Sequence, residues 1–180
     1  MTPLIPKYTE QMRRGITLCL NEALVVPALA LLYSGIDVLG FLGSTEPNAT
    51  RQTFIRWADQ YLAGFLIKIA IGGIDLYSAR CGLLHTGQAP SNWVYSGHAR
   101  ELWYRFEGPA HFNLMTNTAL PAVLIDVEEL VEAFVNGVSQ FISDVEANPD
   151  IGAAAEEKAS KFFREGLLLG PERPSLRTYG

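Results

Sequence analysis

The chain has little of what would assign it a function at a glance. It holds two cysteines, Cys19 and Cys81, far apart in the sequence. That excludes a disulfide framework and reads as free thiols in a reducing cytoplasm. The opening MTPLIPKYTEQMRR lacks the charged, then apolar, then cleavable order of a secretory leader. The longest apolar run, Ala23 to Ile36, is interrupted by Pro27 and closed by Asp37. It falls short of the roughly 20 residues a membrane span needs, so it reads as a core helix and no membrane partner is expected. The three histidines, His85, His98 and His111, are scattered with no cysteine or carboxylate at ligand spacing. No metal and no other cofactor is expected. Internal repeats and low-complexity segments are also lacking.

Strong positive charge is missing too. The net charge is −5, which argues against a protein that coats nucleic acid. The charge is uneven, however. Residues 1–50 carry three basic and four acidic groups, 51–111 six and four, and 112–180 five and eleven. The middle third is the basic part, with a surplus that suits a local phosphate contact and not a long polyanion track.

What is present is a core. Hydrophobic residues make up 48% of the 180 residues and aromatics 11%, enough for one domain over 1–165. Helical periodicity marks Thr9 to about Asn21, then Val25 to Gly43 with Pro27 in the first turn. The loop GSTEPNAT offers Asn48 or Thr50 as N-cap of a third helix from Arg51 to about Leu66. Gly72 and Gly73 precede a helix that ends at Gly87, and 88–97 reads as loop. Glu101–Phe106 and Ala122–Ile125 have the composition of short strands forming a small ribbon within 100–125. An amphipathic helix follows from Val127 until Pro149, and a last one covers 151–165. Residues 166–180 read as a loosely ordered tail. The fold class expected is mainly α, a helical bundle.

One residue stands out of place. In IDLYSARCGLLHTG, residues 74–87, Arg80 lies within an apolar helical stripe containing Leu76, Tyr77, Leu83 and Leu84. A guanidinium stays charged, so its burial requires an anion. Asp37, in the apolar LLYSGIDVLGF, and Asp59, on the third helix, are the two carboxylates placed to supply an internal ion pair. The other anion open to Arg80 is a phosphate, met together with His85 five residues on. Trp93, Arg100 and Arg105 belong to an aromatic and basic set that either stacks on RNA bases or lids the core.

Arg80-Cys-Gly-Leu-Leu-His85 matches the R-x4-H form of the R-x(4 to 6)-H signature, and the chain resembles the HEPN domain superfamily over about residues 9–87. A second match, Arg105 to His111, is broken by Gly108 and Pro109. The resemblance implies a bundle of antiparallel helices, a homodimer with motif helices face to face, and metal-independent RNA cleavage. Arg80 would stabilise charge on the phosphorane-like transition state and His85 would assist proton transfer. Cys81 stands where active members often carry Asn, Asp or His, and Gly87 replaces the tyrosine of R-x4-H-x-Y members. The alternative, from a different class, is a catalytically silent domain that meets a protein partner of unknown identity and uses Arg80 in a buried pair. On an α-helix, positions five apart diverge by about 140°. Convergence of Arg80 and His85 therefore needs a loosened last turn or a second protomer.

Overall fold

The computed structural model describes residues 4–86, 92–107, 112–114 and 122–163, with the backbone alone for 85, 86 and 112–114. It is mainly helical with one small sheet. The helices are α1 (Leu4–Asn21), α2 (Val25–Leu42), α3 (Arg51–Tyr61), α4 (Ala63–Lys68), α5 (Gly73–Cys81), α6 (Asn92–Tyr95), α7 (Val127–Ala147) and α8 (Pro149–Phe162). A π-helical turn, Gly82–Thr86, directly continues α5. The tail and His111 lie outside the described residues.

α2 is the axis of the core. Ala28, Leu29, Leu32, Tyr33, Ile36 and Leu39 along it are each at most 1% exposed. Side chains buried on this scale contribute about 1.5–3 kcal/mol apiece for Leu or Ile, which is why α1, α3, α7 and α8 gather on this helix. Among the described residues it is the one helix long and apolar enough to cross a membrane by length and composition, and 56% of that stretch is buried in the fold. Its approach to α3 needs a missing side chain. A Cβ on Gly40 would lie 2.5 Å from the Thr53 carbonyl oxygen.

Several boundaries differ from the periodic reading for local reasons. α1 starts at Leu4, five residues early, because Glu156 of α8 accepts hydrogen bonds from the Leu4 and Ile5 N–H groups at 3.0 and 3.1 Å. Periodicity has no access to a cap supplied from another helix. The third helix divides at Leu62, whose φ of −109° and ψ of 11° leave the helical basin, so 51–66 becomes α3 and the start of α4. Pro149 does not simply stop α7. Asn148 closes α7 and caps α8, its side chain accepting from Ile151 N–H, so the proline opens the last helix. Within the loop expected at 88–97, residues 92–95 form α6.

The sheet joins β1 (Glu101–Phe106), β2 (Phe112–Leu114) and β3 (Ala122–Asp126) in the order β2-β1-β3. β1 pairs antiparallel with β2, and parallel with β3 in the register Glu101↔Ala122 to Arg105↔Asp126. The ribbon expected in 100–125 is therefore a three-stranded mixed sheet. Leu102, Tyr104 and Phe106 alternate on its buried face. Tyr104 reaches across to α2, where its hydroxyl hydrogen-bonds that of Tyr33. Asp126, at the end of β3, then caps α7 by accepting from the N–H groups of Glu128 and Glu129.

Candidate functional site

The geometry around Arg80 starts from α5. Gly72 and Gly73 open that helix because two carboxylates converge there. Asp75 accepts from Gly72 N–H at 2.8 Å, and Asp59 accepts from Gly73 N–H at 2.6 Å. A Cβ on Gly73 would sit 2.7 Å from the Ile55 carbonyl oxygen, so α5 can press against α3 only with glycine at this position. The close packing fixes the rotation of α5 and presents Arg80 to α2.

There Arg80 meets Asp37. Its Nε and Nη2 each lie 2.7 Å from Asp37 Oδ2, and the two side chains are 19% and 20% exposed. Burial pulls the Arg80 pKa down, while the charge and hydrogen bond of Asp37 outweigh it and leave the pKa raised. Of the two carboxylates open to this pairing, Asp37 takes it. Asp59 is engaged by the α5 backbone instead. Tyr8 of α1 also senses Asp37: burial foremost, then the carboxylate charge, raises its pKa above the usual tyrosine value.

The ion pair is not sealed. Asp37 and Arg80 line an open cleft of about 230 Å³, together with Tyr77, Thr50 and Arg51. Val38, Phe41 and Phe162 supply the apolar part of its wall. Thr50 is the N-cap of α3, with its Oγ1 accepting from Thr53 N–H while Thr53 Oγ1 accepts from Thr50 N–H. This cap fixes where Arg51, the first residue of α3, emerges. The Arg51 guanidinium lies 4.7 Å from the ring centroid of Trp93 on α6, a cation–π contact. Tyr77 stands edge-on to Phe54, and its pKa is raised by burial first and by a hydrogen bond with Cys81 second. The formal charges of the cleft residues are those of Asp37, Arg51 and Arg80, a surplus of one positive charge.

The backbone beyond Arg80 changes character. α5 ends at Cys81, and 82–86 form the π turn. With bonds from i to i+5, a π turn spreads more residues over each revolution. Positions 80 and 85 therefore diverge less than they would on a continuous α-helix. The side chain of His85 lies outside the described residues.

The remaining candidates are placed apart from one another. Trp93 neighbours the cleft through Arg51. Arg100 is held at the α5 N-terminus, where its N–H donates to Asp75 at 2.6 Å and its guanidinium lies 3.4 Å from the same carboxylate. Arg105 lies on the sheet at 3.4 Å from both Glu107 and Asp126. Tyr104 and Phe106, which flank Arg105 on β1, are 3% exposed and belong to the core. Among the described residues, no group of three or more His, Cys, Asp or Glu is placed to hold a metal.

Sequence reasoning had no hold on Thr50 as a cleft residue, nor on Arg51, Phe41 or Phe162. Each is ordinary within its own element, and they meet because α3 packs on α2 and α8 brings Phe162 to the end of α2. No family model, no curated protein and no solved structure matches this chain.

Proposed function

We propose that the chain is a HEPN-like bundle of antiparallel helices, homodimeric, that binds RNA at the Arg80 cleft and cleaves it without metal, with Arg80 and His85 as the catalytic pair. The observation that carries this reading is an arginine on the wall of an open, net-positive cleft, followed at once by a π turn that holds the histidine. π turns recur at functional sites.

In this reading the 2′-hydroxyl of a ribose attacks the adjacent phosphorus. The bond to the 5′-oxygen of the next nucleotide breaks, and a 2′,3′-cyclic phosphate and a 5′-hydroxyl result. The proton leaves the 2′-hydroxyl and one is delivered to the 5′-oxygen, and imidazole near neutral pH suits either transfer. Charge gathers on the non-bridging oxygens, where the planar donor fork of a guanidinium is most effective. Asp37 engages two of the Arg80 nitrogens, so the carboxylate orients the group that meets phosphate. Arg51 adds charge beside it, and Trp93, in cation–π contact with Arg51, is the aromatic proposed to meet a base.

A second reading rests on the same ion pair. Two 2.7 Å contacts tie α2 to α5, as a catalytically silent interaction domain would require of a purely structural Arg80. The test is RNA cleavage in chelator by wild type, Arg80→Ala and His85→Ala. Cleavage by the wild type that falls at least about 100-fold in each variant supports catalysis. Equal rates in all three establish the silent reading.

A further inference from the structure

Lys158 on α8 occupies a cage built from the end of α2 and the loop after it. Its Nζ donates to the carbonyl oxygens of Phe41 at 3.0 Å, Ser44 at 2.5 Å and Glu46 at 2.9 Å, with Ser44 Oγ at 3.4 Å. The same ammonium lies 4.6 Å from the centroid of the Phe41 ring. An ammonium has three N–H donors, and three carbonyls use all of them. Cations at a helix C-terminus commonly satisfy its last carbonyls. This one also reaches past the helix to bind two residues of the loop. Burial pulls the pKa of Lys158 down, with the charge of Glu46 opposing.

The grip has a direction. The loop held at Ser44 and Glu46 runs on to Ala49, Thr50 and Arg51, and all three line the Arg80 cleft. Glu46 adds a second tether, its carboxylate lying 3.1 Å from Arg56 on α3. One turn along α8 from Lys158, on the same face, Phe162 enters the cleft wall beside Phe41, their ring centroids 6.1 Å apart. One turn of α8 therefore holds the loop by its backbone and walls the cleft by a ring.

The geometry points to Lys158 as a positioning residue that sets Arg51 in the anion-binding wall of the cleft without touching the ligand itself. The inference rests on the reading of that cleft as an RNA site. It adds that α8, remote in sequence, governs the affinity of the site.

Two measurements test it, on the full chain. In Lys158→Met, amide hydrogen exchange over residues 44–53 rises while that of α7 stays as in the wild type. Affinity for a short single-stranded RNA falls about tenfold. Because Lys158 acts through Arg51, Lys158→Met has no further effect on RNA affinity in the Arg51→Ala background. Should Lys158→Met fail to fold, Lys158→Gln, which keeps two N–H donors without the charge, takes its place in both measurements. Unchanged exchange over 44–53 overturns the inference, and so does strict additivity of the Lys158 and Arg51 substitutions. If the wild type binds no RNA, the functional reading fails, and the exchange comparison alone decides whether Lys158 holds the loop.

Discussion

Tyr33 and Asp37 stand one turn apart on α2, and each takes a polar partner from another element, yet water reaches them differently. Tyr33 is 0% exposed and its partner Tyr104 3%. Asp37 and Arg80 keep 20% and 19% and open on a cleft. In the first pair, two hydroxyls satisfy each other inside the core and stitch the sheet to α2. Nothing outside the chain can reach them. In the second, a full charge pair ties α5 to α2 while staying within reach of a solute. The same helix thus carries a sealed polar contact and an accessible one. Burial of a polar group requires a partner in both places, and only the second pair keeps access to solvent.

The largest effect that would sharpen this contrast is on activity. On the proposed reading of the cleft, Arg80→Ala should lower RNA cleavage by roughly 100- to 1,000-fold, the usual result of removing one preorganised donor from a charge-developing site. Cleavage assays with purified protein check it. Next comes stability at the sealed pair. Tyr33→Phe leaves the Tyr104 hydroxyl buried without its partner and should cost about 1–3 kcal/mol in urea or thermal unfolding, with cleavage unchanged.

The sealed pair also predicts a pH dependence. Burial is the largest influence on both tyrosines and raises the pKa of Tyr33 and Tyr104 above the ordinary 10.0. The folded state therefore holds these protons where the unfolded chain releases them. The stability they contribute is fully present below pH 10.0, the unfolded value, and falls as pH rises from there toward the raised folded values. Unfolding free energies measured across that window should decline, and less steeply in Tyr33→Phe.

The smallest effect concerns the carboxylate that Arg80 does not use. Asp59→Ala removes a cap from α5, where it accepts from Gly73 N–H. It should cost about 1 kcal/mol of stability, in line with helix N-caps, and leave the cleavage rate near that of the wild type.

The open half of this contrast is legible in the sequence, while the Tyr33–Tyr104 contact is not. An arginine inside the apolar stripe at 74–87 demanded an anion, and the apolar setting of Asp37 demanded a cation. The choice between Asp37 and Asp59 was not legible, because it depends on the rotation of α5. That rotation is fixed by the contact of Gly73 with Ile55, a backbone approach that no periodicity encodes. The core helix, the strands read at 101–106 and 122–125, and the amphipathic helix from Val127 followed from composition and spacing. The early start of α1 did not, since its cap arrives from Glu156, at the other end of the chain. Lys158 carried no signal either, being one lysine among charged neighbours on the last helix. The π turn after Cys81 was equally hidden. Nothing in CGLLHT distinguishes i to i+5 bonding from the α-helical kind.

The most direct test takes both pairs through both readouts on the same samples. Cleavage rate and melting temperature are measured for wild type, Arg80→Lys and Tyr33→Phe in the presence of chelator. Lysine keeps the charge opposite Asp37 but lacks the donor fork. If the open pair serves catalysis, Arg80→Lys loses most of its cleavage with a small change in melting temperature, while Tyr33→Phe melts several degrees lower and cleaves like the wild type. If Arg80→Lys instead lowers only the melting temperature and leaves cleavage intact, the open pair is structural like the sealed one and Arg80 is not a catalytic residue.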